Sequence, residues 1–202
     1  KRVIIGGSSC PRAMTEKFEK NYDVEVVHAW GMTEMSPLGS LCTIKPEYGH
    51  LQGDALLDIK MKQGHPPFGV EMKVTDDRGR DQPWDGKTFG RLKVRGPAVA
   101  RRYFRAEDIL DSEGFFDTGD VATIDAHGYM QITDRSKDVI KSGGEWISSI
   151  DLENLAVGHP KVAEAAVIGV RHPKWDERPL LIVVLKKDHA ADKNDILSFM
   201  KG

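Results

Sequence analysis

The 202 residues carry 29 Lys+Arg against 31 Asp+Glu, a formal net charge of −2, with 40% apolar and 30% charged residues. That balance describes a globular protein with room for one large domain or one and a half smaller ones, and it excludes a nucleic-acid binder that depends on a basic face. The longest aliphatic run, LLIVVL at 180–185, is far short of a membrane span, and two cysteines, Cys10 and Cys42, make no disulfide framework and point to a reducing, cytoplasmic compartment.

Val3-Ile4-Ile5 predicts a short buried strand, broken by Gly6-Gly7-Ser8-Ser9. Pro11 suits the first position of a helix, Met14 and Phe18 form its i, i+4 apolar pair, and Asn21 is its stop. Val24-Glu25-Val26-Val27 resumes a strand, and this strand–helix–strand order predicts a parallel sheet with helices on its faces. Over 35–67 the periodicity is lost among Gly39, Pro46, Gly49, Gly53, Gly64 and Pro66-Pro67, so irregular, site-forming chain is expected there. From 70 to 133 short alternating strands follow, with 121–124 meeting 129–132 across Asp125-Ala126-His127-Gly128. That texture predicts a small antiparallel sheet or partial barrel.

After Asp134 the pattern is α+β. Ser148-x-x-Asp151 resembles a capping box, with Leu152, Leu155 and Ala156 on one helical face. Residues 162–170 and 180–185 are expected to be strands and 194–200 a helix, and the internal boundary is expected near 134–137. The chain starts at Lys1 without Met or a signal-peptide pattern, and helical spacing at Ile196, Phe199 and Met200 runs almost to Gly202. Both ends are therefore expected to be cut from inside a fold, which makes the chain a fragment.

Four clusters carry chemistry. Gly6 to Pro11 follows a strand and precedes a helix, where backbone N–H groups can face a ligand; a tight packing turn is the preferred reading. Trp30-Gly31-Met32-Thr33-Glu34 stands at a strand end, where open α/β sheets place ligands. The aromatic can stack on a purine, the hydroxyl can bond a phosphate oxygen and the carboxylate can hold Mg²⁺, or the tryptophan can be core and the threonine a helix cap. Phe116-Asp117-Thr118-Gly119-Asp120 is read as a turn, although a carboxylate beside a glycine turn can also accept from a ribose diol. The densest signal is the charged stretch 134–141 followed by Ser142-Gly143-Gly144-Glu145-Trp146. It is either a solvated linker or a moving, phosphate-contacting loop. The seven histidines are scattered and no CxxC occurs, so no transition-metal site is expected.

In order and spacing these motifs, with Gly90-Arg91-Leu92 and Gly96 between them, resemble those of the adenylate-forming superfamily of acyl-CoA synthetases, luciferases and peptide-synthetase adenylation domains. The stretch from Asp134 to Ser148 is most similar to the fatty-acyl-CoA synthetase branch, which includes medium- and long-chain enzymes and the 3-methylmercaptopropionate ligases.

The resemblance implies α/β and α+β classes. The C-terminal part of a large α/β adenylating domain, a parallel sheet plus a small β-barrel-like subdomain, would occupy 1–134, divided at 67/68. Part of a small α+β domain would follow over 135–202. It also implies a two-step ligase using ATP, Mg²⁺ and coenzyme A. Gly7, His28, Ala29 and Trp30 would flank adenine and the acyl carboxylate, Thr33 would contact phosphate, and Glu34 would hold Mg²⁺. Asp120 would bind the ribose, Arg135 the ribose or a phosphate. Lys137 would be the hinge, and Lys141, Gly143, Gly144 and Trp146 would belong to a loop that swings in for thioester formation.

The expected partners are a fatty acid, ATP and CoA, with a homodimer open and no nucleic acid. Medium- or long-chain fatty acids are the favoured substrates and 3-methylmercaptopropionate the alternative. An adenylation domain serving a carrier protein and a non-catalytic nucleotide-binding or interaction module are the rival readings. The family's upstream phosphate loop and downstream catalytic lysine have no counterpart in these residues, so the 202-residue piece alone is expected to be inactive.

Overall fold

A computed structural model describes residues 1–8 and 10–201; Ser9 of the Gly6 to Pro11 turn and the terminal Gly202 lie outside the described residues. The chain divides into two compact units, Lys1–Ile132 and Thr133–Gly202.

The first unit opens as the β-branched run dictates, with β1 (Arg2–Ile5) followed by α1 (Arg12–Tyr22) and β2 (Glu25–Gly31). β1 and β2 pair in parallel, Val3 opposite Val26 and Ile5 opposite His28, which bears out the expected parallel order. β1 is not buried, however. Among the described residues it stands at one end of its sheet, beside β2, and Ile4 is 61% exposed. Pro11 caps α1 from outside rather than starting it, and the helix ends at Asp23 in the left-handed region, two residues past Asn21. The residue α1 buries is Thr15, whose hydroxyl meets the Cys10 thiol at 3.2 Å; Met14 faces outward and Phe18 is half-buried.

The stretch expected to be irregular holds β3 (Leu38–Leu41), a 3-10 turn at Pro46–Tyr48 and α2 (Gly53–Lys60). β3 runs antiparallel to β2, so the first sheet is mixed in order β1-β2-β3. α2 is only eight residues long, and its N-terminal Gly53 at φ 59 masks it in the sequence. Packing decides it instead: Leu57 and Ile59 are buried, Lys60 pairs with Glu19 of α1 at 2.6 Å, and Arg12 pairs with Asp54 and Asp58.

Four alternating strands, β4 (Glu71–Thr75), β5 (Gly90–Arg95), β6 (Phe116–Ile124) and β7 (Met130–Arg135), make an open sheet in that order. Burial of Val74, Leu92, Val94 and Met130, each fully covered, contributes about 1.5–3 kcal/mol per side chain to this core. The β6–β7 connection is the expected tight turn, closed by Asp125 Oδ1 accepting from the N–H groups of His127 and Tyr129 at 2.9 and 3.0 Å. Residues 63–65 join the two sheets, since Gln63 N donates to Met130 O at 3.0 Å and Leu41 exchanges hydrogen bonds with His65.

The reading of Phe116 to Asp120 as a turn is overturned, because the segment lies inside β6. Arg91 pairs with Val121 and Lys93 with Asp117, so a bulge sits between them, at Gly119 with φ 75.

The second unit contains β8 (Ile140–Ser142), β9 (Glu145–Ile147), α3 (Ser149–Val157), β10 (Val162–His172), β11 (Asp176–Leu185) and α4 (Lys193–Lys201), with sheet order β10-β11-β8-β9. The stretch after Asp134 is therefore not a solvated linker. Arg135 ends β7, and β8 and β9 form a hairpin turned at Gly143 and Gly144, both at positive φ (61 and 90). Ser148 caps α3 as the capping-box spacing predicts, its Oγ accepting from Asp151 N at 3.0 Å. Of the predicted α3 face, Ala156 is buried, Leu152 is half-buried and Leu155 is 42% exposed.

Candidate functional site

In the first unit the candidate residues converge on the end of β2. His28, Ala29, Trp30 and Gly31 are its last four residues, and a one-turn 3-10 helix, Thr33–Met35, follows. Gly31 is needed there for space, since a Cβ would stand 1.9 Å from the Pro37 carbonyl oxygen. The turn after β1 approaches the same strand: a Cβ on Gly6 would meet the Ala29 carbonyl oxygen at 2.9 Å, while Gly7 (φ 82) faces open space.

The Trp30 indole Nε1 donates to Asp120 Oδ2 at 3.0 Å across 90 positions of sequence. Asp120 is buried on β6, and its backbone N–H donates to Thr118 Oγ1 at 3.1 Å. Thr33 is exposed and Glu34 is half-buried. The Tyr103 hydroxyl donates to Glu34 Oε1 at 2.6 Å and holds that carboxyl below the usual carboxylate range, so it is ionised at neutral pH. A second tie fixes its backbone, with Ala100 N donating to Glu34 O at 2.7 Å. Tyr103 carries no signal in the sequence, because it belongs to none of the motifs and reaches Glu34 only through the fold.

His28 differs from its neighbours. Its side chain is buried, with Nδ1 3.2 Å from the Met61 carbonyl oxygen, and burial pushes its pKa down. The imidazole is thus an interior group, and β2 presents only the backbone of this residue to the strand end.

In the second unit, Asp134 is buried and accepts from the N–H groups of Arg135 and Ser149 at 2.8 and 2.7 Å. Arg135 is exposed, and its carbonyl accepts from Asp138 and Val139 in a tight turn that carries Lys137 outward. Lys137 and Lys141 line one cavity of about 880 Å³ with Arg171, His172, Asp176 and Glu177. Lys141 faces Trp146 across the hairpin, its Nζ 4.9 Å from the ring centroid, and its backbone N–H donates to Glu177 Oε2 at 3.0 Å. Gly143 is held against Trp175, where a Cβ would approach the indole at 2.8 Å.

Among the described residues no group of three or more His, Cys, Asp or Glu could hold a metal ion. Glu34 offers one ionised carboxylate, which fits magnesium: that ion keeps several waters and takes its other oxygens from phosphates rather than from an all-protein cage.

Residues 1–104 match the AMP-binding enzyme family, and residues 151–202 match the AMP-binding enzyme C-terminal domain. The chain is 54% identical over its whole length to a 3-methylmercaptopropionyl-CoA ligase of Ruegeria pomeroyi, of which it spans 38%. It is 48% identical over 98% of its length to a medium-chain-fatty-acid–CoA ligase of Ectopseudomonas oleovorans, covering 36% of that protein. Its fold superposes on the o-succinylbenzoate CoA synthetase of Bacillus subtilis, solved with an acyl-adenylate intermediate, at a TM-score of 0.82 and 29% identity, covering all of this chain and 39% of that one. The chain therefore belongs to the AMP-binding enzyme family, whose adenylate-forming acyl-CoA ligases it resembles in both sequence and fold.

Proposed function

We propose that the full-length protein carrying this chain is an ATP-dependent acid–CoA ligase. A carboxylate oxygen of the acid attacks the α-phosphorus of ATP; the bond to pyrophosphate breaks and acyl-AMP forms. The sulfur of CoA, having lost its proton, then attacks the acyl carbon, and AMP leaves with the electrons of the broken C–O bond. Such displacements need positioning and charge neutralisation more than a proton-transfer pair.

One observation carries the reading: a buried carboxylate, Asp120, is fixed by Trp30 at the same strand end from which Thr33 and Glu34 project. Asp120 suits a ribose diol, because its carboxyl group carries two oxygens that can face the two hydroxyls. Glu34, with Thr33 beside it at the phosphates, would hold magnesium, which when bound neutralises phosphate charge. His28 takes part through its backbone, with Ala29 and Gly7 flanking the adenine and acyl carboxylate. Arg135 reaches the ribose or a phosphate, Lys137 is the hinge, and the hairpin bearing Lys141, Gly143, Gly144 and Trp146 serves thioester formation. Two buried free thiols, Cys10 and Cys42, are compatible with a cytoplasmic setting.

The acid is read as aliphatic. A medium- or long-chain fatty acid is the first choice, and 3-methylmercaptopropionate is the alternative that the Ruegeria relative favours. Pyrophosphate release by the full-length protein is expected with octanoate, palmitate or 3-methylmercaptopropionate, and the kcat/KM order among the three identifies the acyl group. Glu34→Gln should lower kcat by about 100-fold. Absence of pyrophosphate release with every acid rejects the ligase, and transfer to a holo-carrier protein in place of CoA supports the carrier-serving alternative.

A further inference from the structure

Trp30 is fixed on more than one side. It is half-buried against the core that includes Met35 and Met130, and its ring edge lies directly over Gly39. A Cβ on Gly39 would come within 2.3 Å of Cζ3 and 2.9 Å of the Met35 sulfur, so the backbone of β3 has been left bare where the indole sits. The remaining polar atom of the ring, Nε1, is a donor only, and it points at Asp120 Oδ2 at 3.0 Å. Asp120 itself follows the bulge at Gly119, the one place in β6 where the strand leaves its register with β5. A bulge re-aims a side chain, and a carboxylate there needs an outside contact to set its plane.

We infer that Trp30 is a positioning residue for Asp120: its indole N–H clamps Oδ2 and sets the carboxylate plane in the orientation that receives the two ribose hydroxyls. The inference rests on the reading of Asp120 as the ribose ligand. The clamp removes rotamer freedom from the carboxylate before the nucleotide arrives, so the ordering cost falls on folding rather than on binding. A phenylalanine could fill the space over Gly39 but would leave Oδ2 without this donor.

The test uses the full-length protein and three nucleotides: ATP, 2′-deoxy-ATP and 3′-deoxy-ATP. Trp30→Phe should weaken ATP by about tenfold in KM, the loss of one hydrogen bond to a charged group, while the deoxynucleotides change by less than about twofold. The preference for ATP therefore collapses. Equal losses for all three nucleotides, as from a purely structural or base-stacking role, overturn the inference, and so does an unchanged preference. Asp120→Asn separates the two readings. If it leaves the ATP preference intact, the ribose assignment itself fails; if it abolishes the preference while Trp30→Phe does not, only the role of Trp30 fails. Should Trp30→Phe not fold, Asp120→Ala in ¹⁵N-tryptophan-labelled protein gives an independent reading. The Trp30 Nε1–H resonance should move, and an unmoved resonance overturns the inference.

Discussion

His28 and Glu34 lie six positions apart and are treated by the fold in opposite ways. Glu34 is kept ionised by a hydrogen bond from Tyr103, whereas His28 is kept neutral by burial. The histidine has a consequence for stability. Its folded pKa lies below its ordinary value, so below pH of about 6.5 the unfolded chain takes up a proton that the folded chain refuses. Stability from this residue is complete above that pH and is lost as pH falls towards the depressed folded value, with a slope of at most about 1.4 kcal/mol per pH unit. Urea unfolding between pH 7.5 and 5 should show this loss, and His28→Gln should flatten it; an identical pH slope in the variant would remove His28 as its source. The sequence marks His28 and Glu34 as candidates by motif alone. It does not reveal that one points inward, because the fate of each side chain depends on Met61 and Tyr103, which are distant in the chain.

At the scale of elements, local pattern succeeds where one face is plainly apolar or a cap is spelled out. β10, β11 and α4 are found where alternation and helical spacing put them, and Ser148 caps α3. Ser148 does two things at once, because its hydroxyl also donates to Thr133 O at 2.5 Å and so ties the end of β7 to the start of α3. Ser148→Ala should cost roughly 1–2 kcal/mol, the upper part of the usual range for a lost cap. Denaturant unfolding monitored on the second unit measures it, and a loss below about 0.5 kcal/mol would show that water replaces both contacts. Elements are missed where a local signal is misleading. The charges of 134–141 suggest a linker, yet Ile140 and Ser142 are buried with exposed Lys141 between them, an alternation short enough to be hidden by its neighbours. Gly119 suggests a turn and instead makes a bulge, since only pairing with β5 distinguishes the two.

At the scale of the whole molecule, the two units each hold part of the candidate residues: the Trp30–Asp120 contact and Glu34 in one, Arg135, Lys137 and the Lys141 hairpin in the other. The chain spans 38% of the Ruegeria relative. The 202-residue piece expressed alone is expected to release no pyrophosphate from ATP with any acid, while the full-length protein does; turnover by the piece would show that its own residues suffice for adenylation. The sequence by itself determined the order of textures, the parallel opening, the α3 cap and the motif series that leads to the family. These are local in the chain and follow from side-chain period, turn chemistry and capping. Only the tertiary structure decided that Asp120 belongs to a strand, that Tyr103 holds Glu34, that His28 is interior and that Trp30 meets Asp120. Each of those depends on partners 22 to 90 positions away, brought together by packing and strand register, which no local spacing encodes.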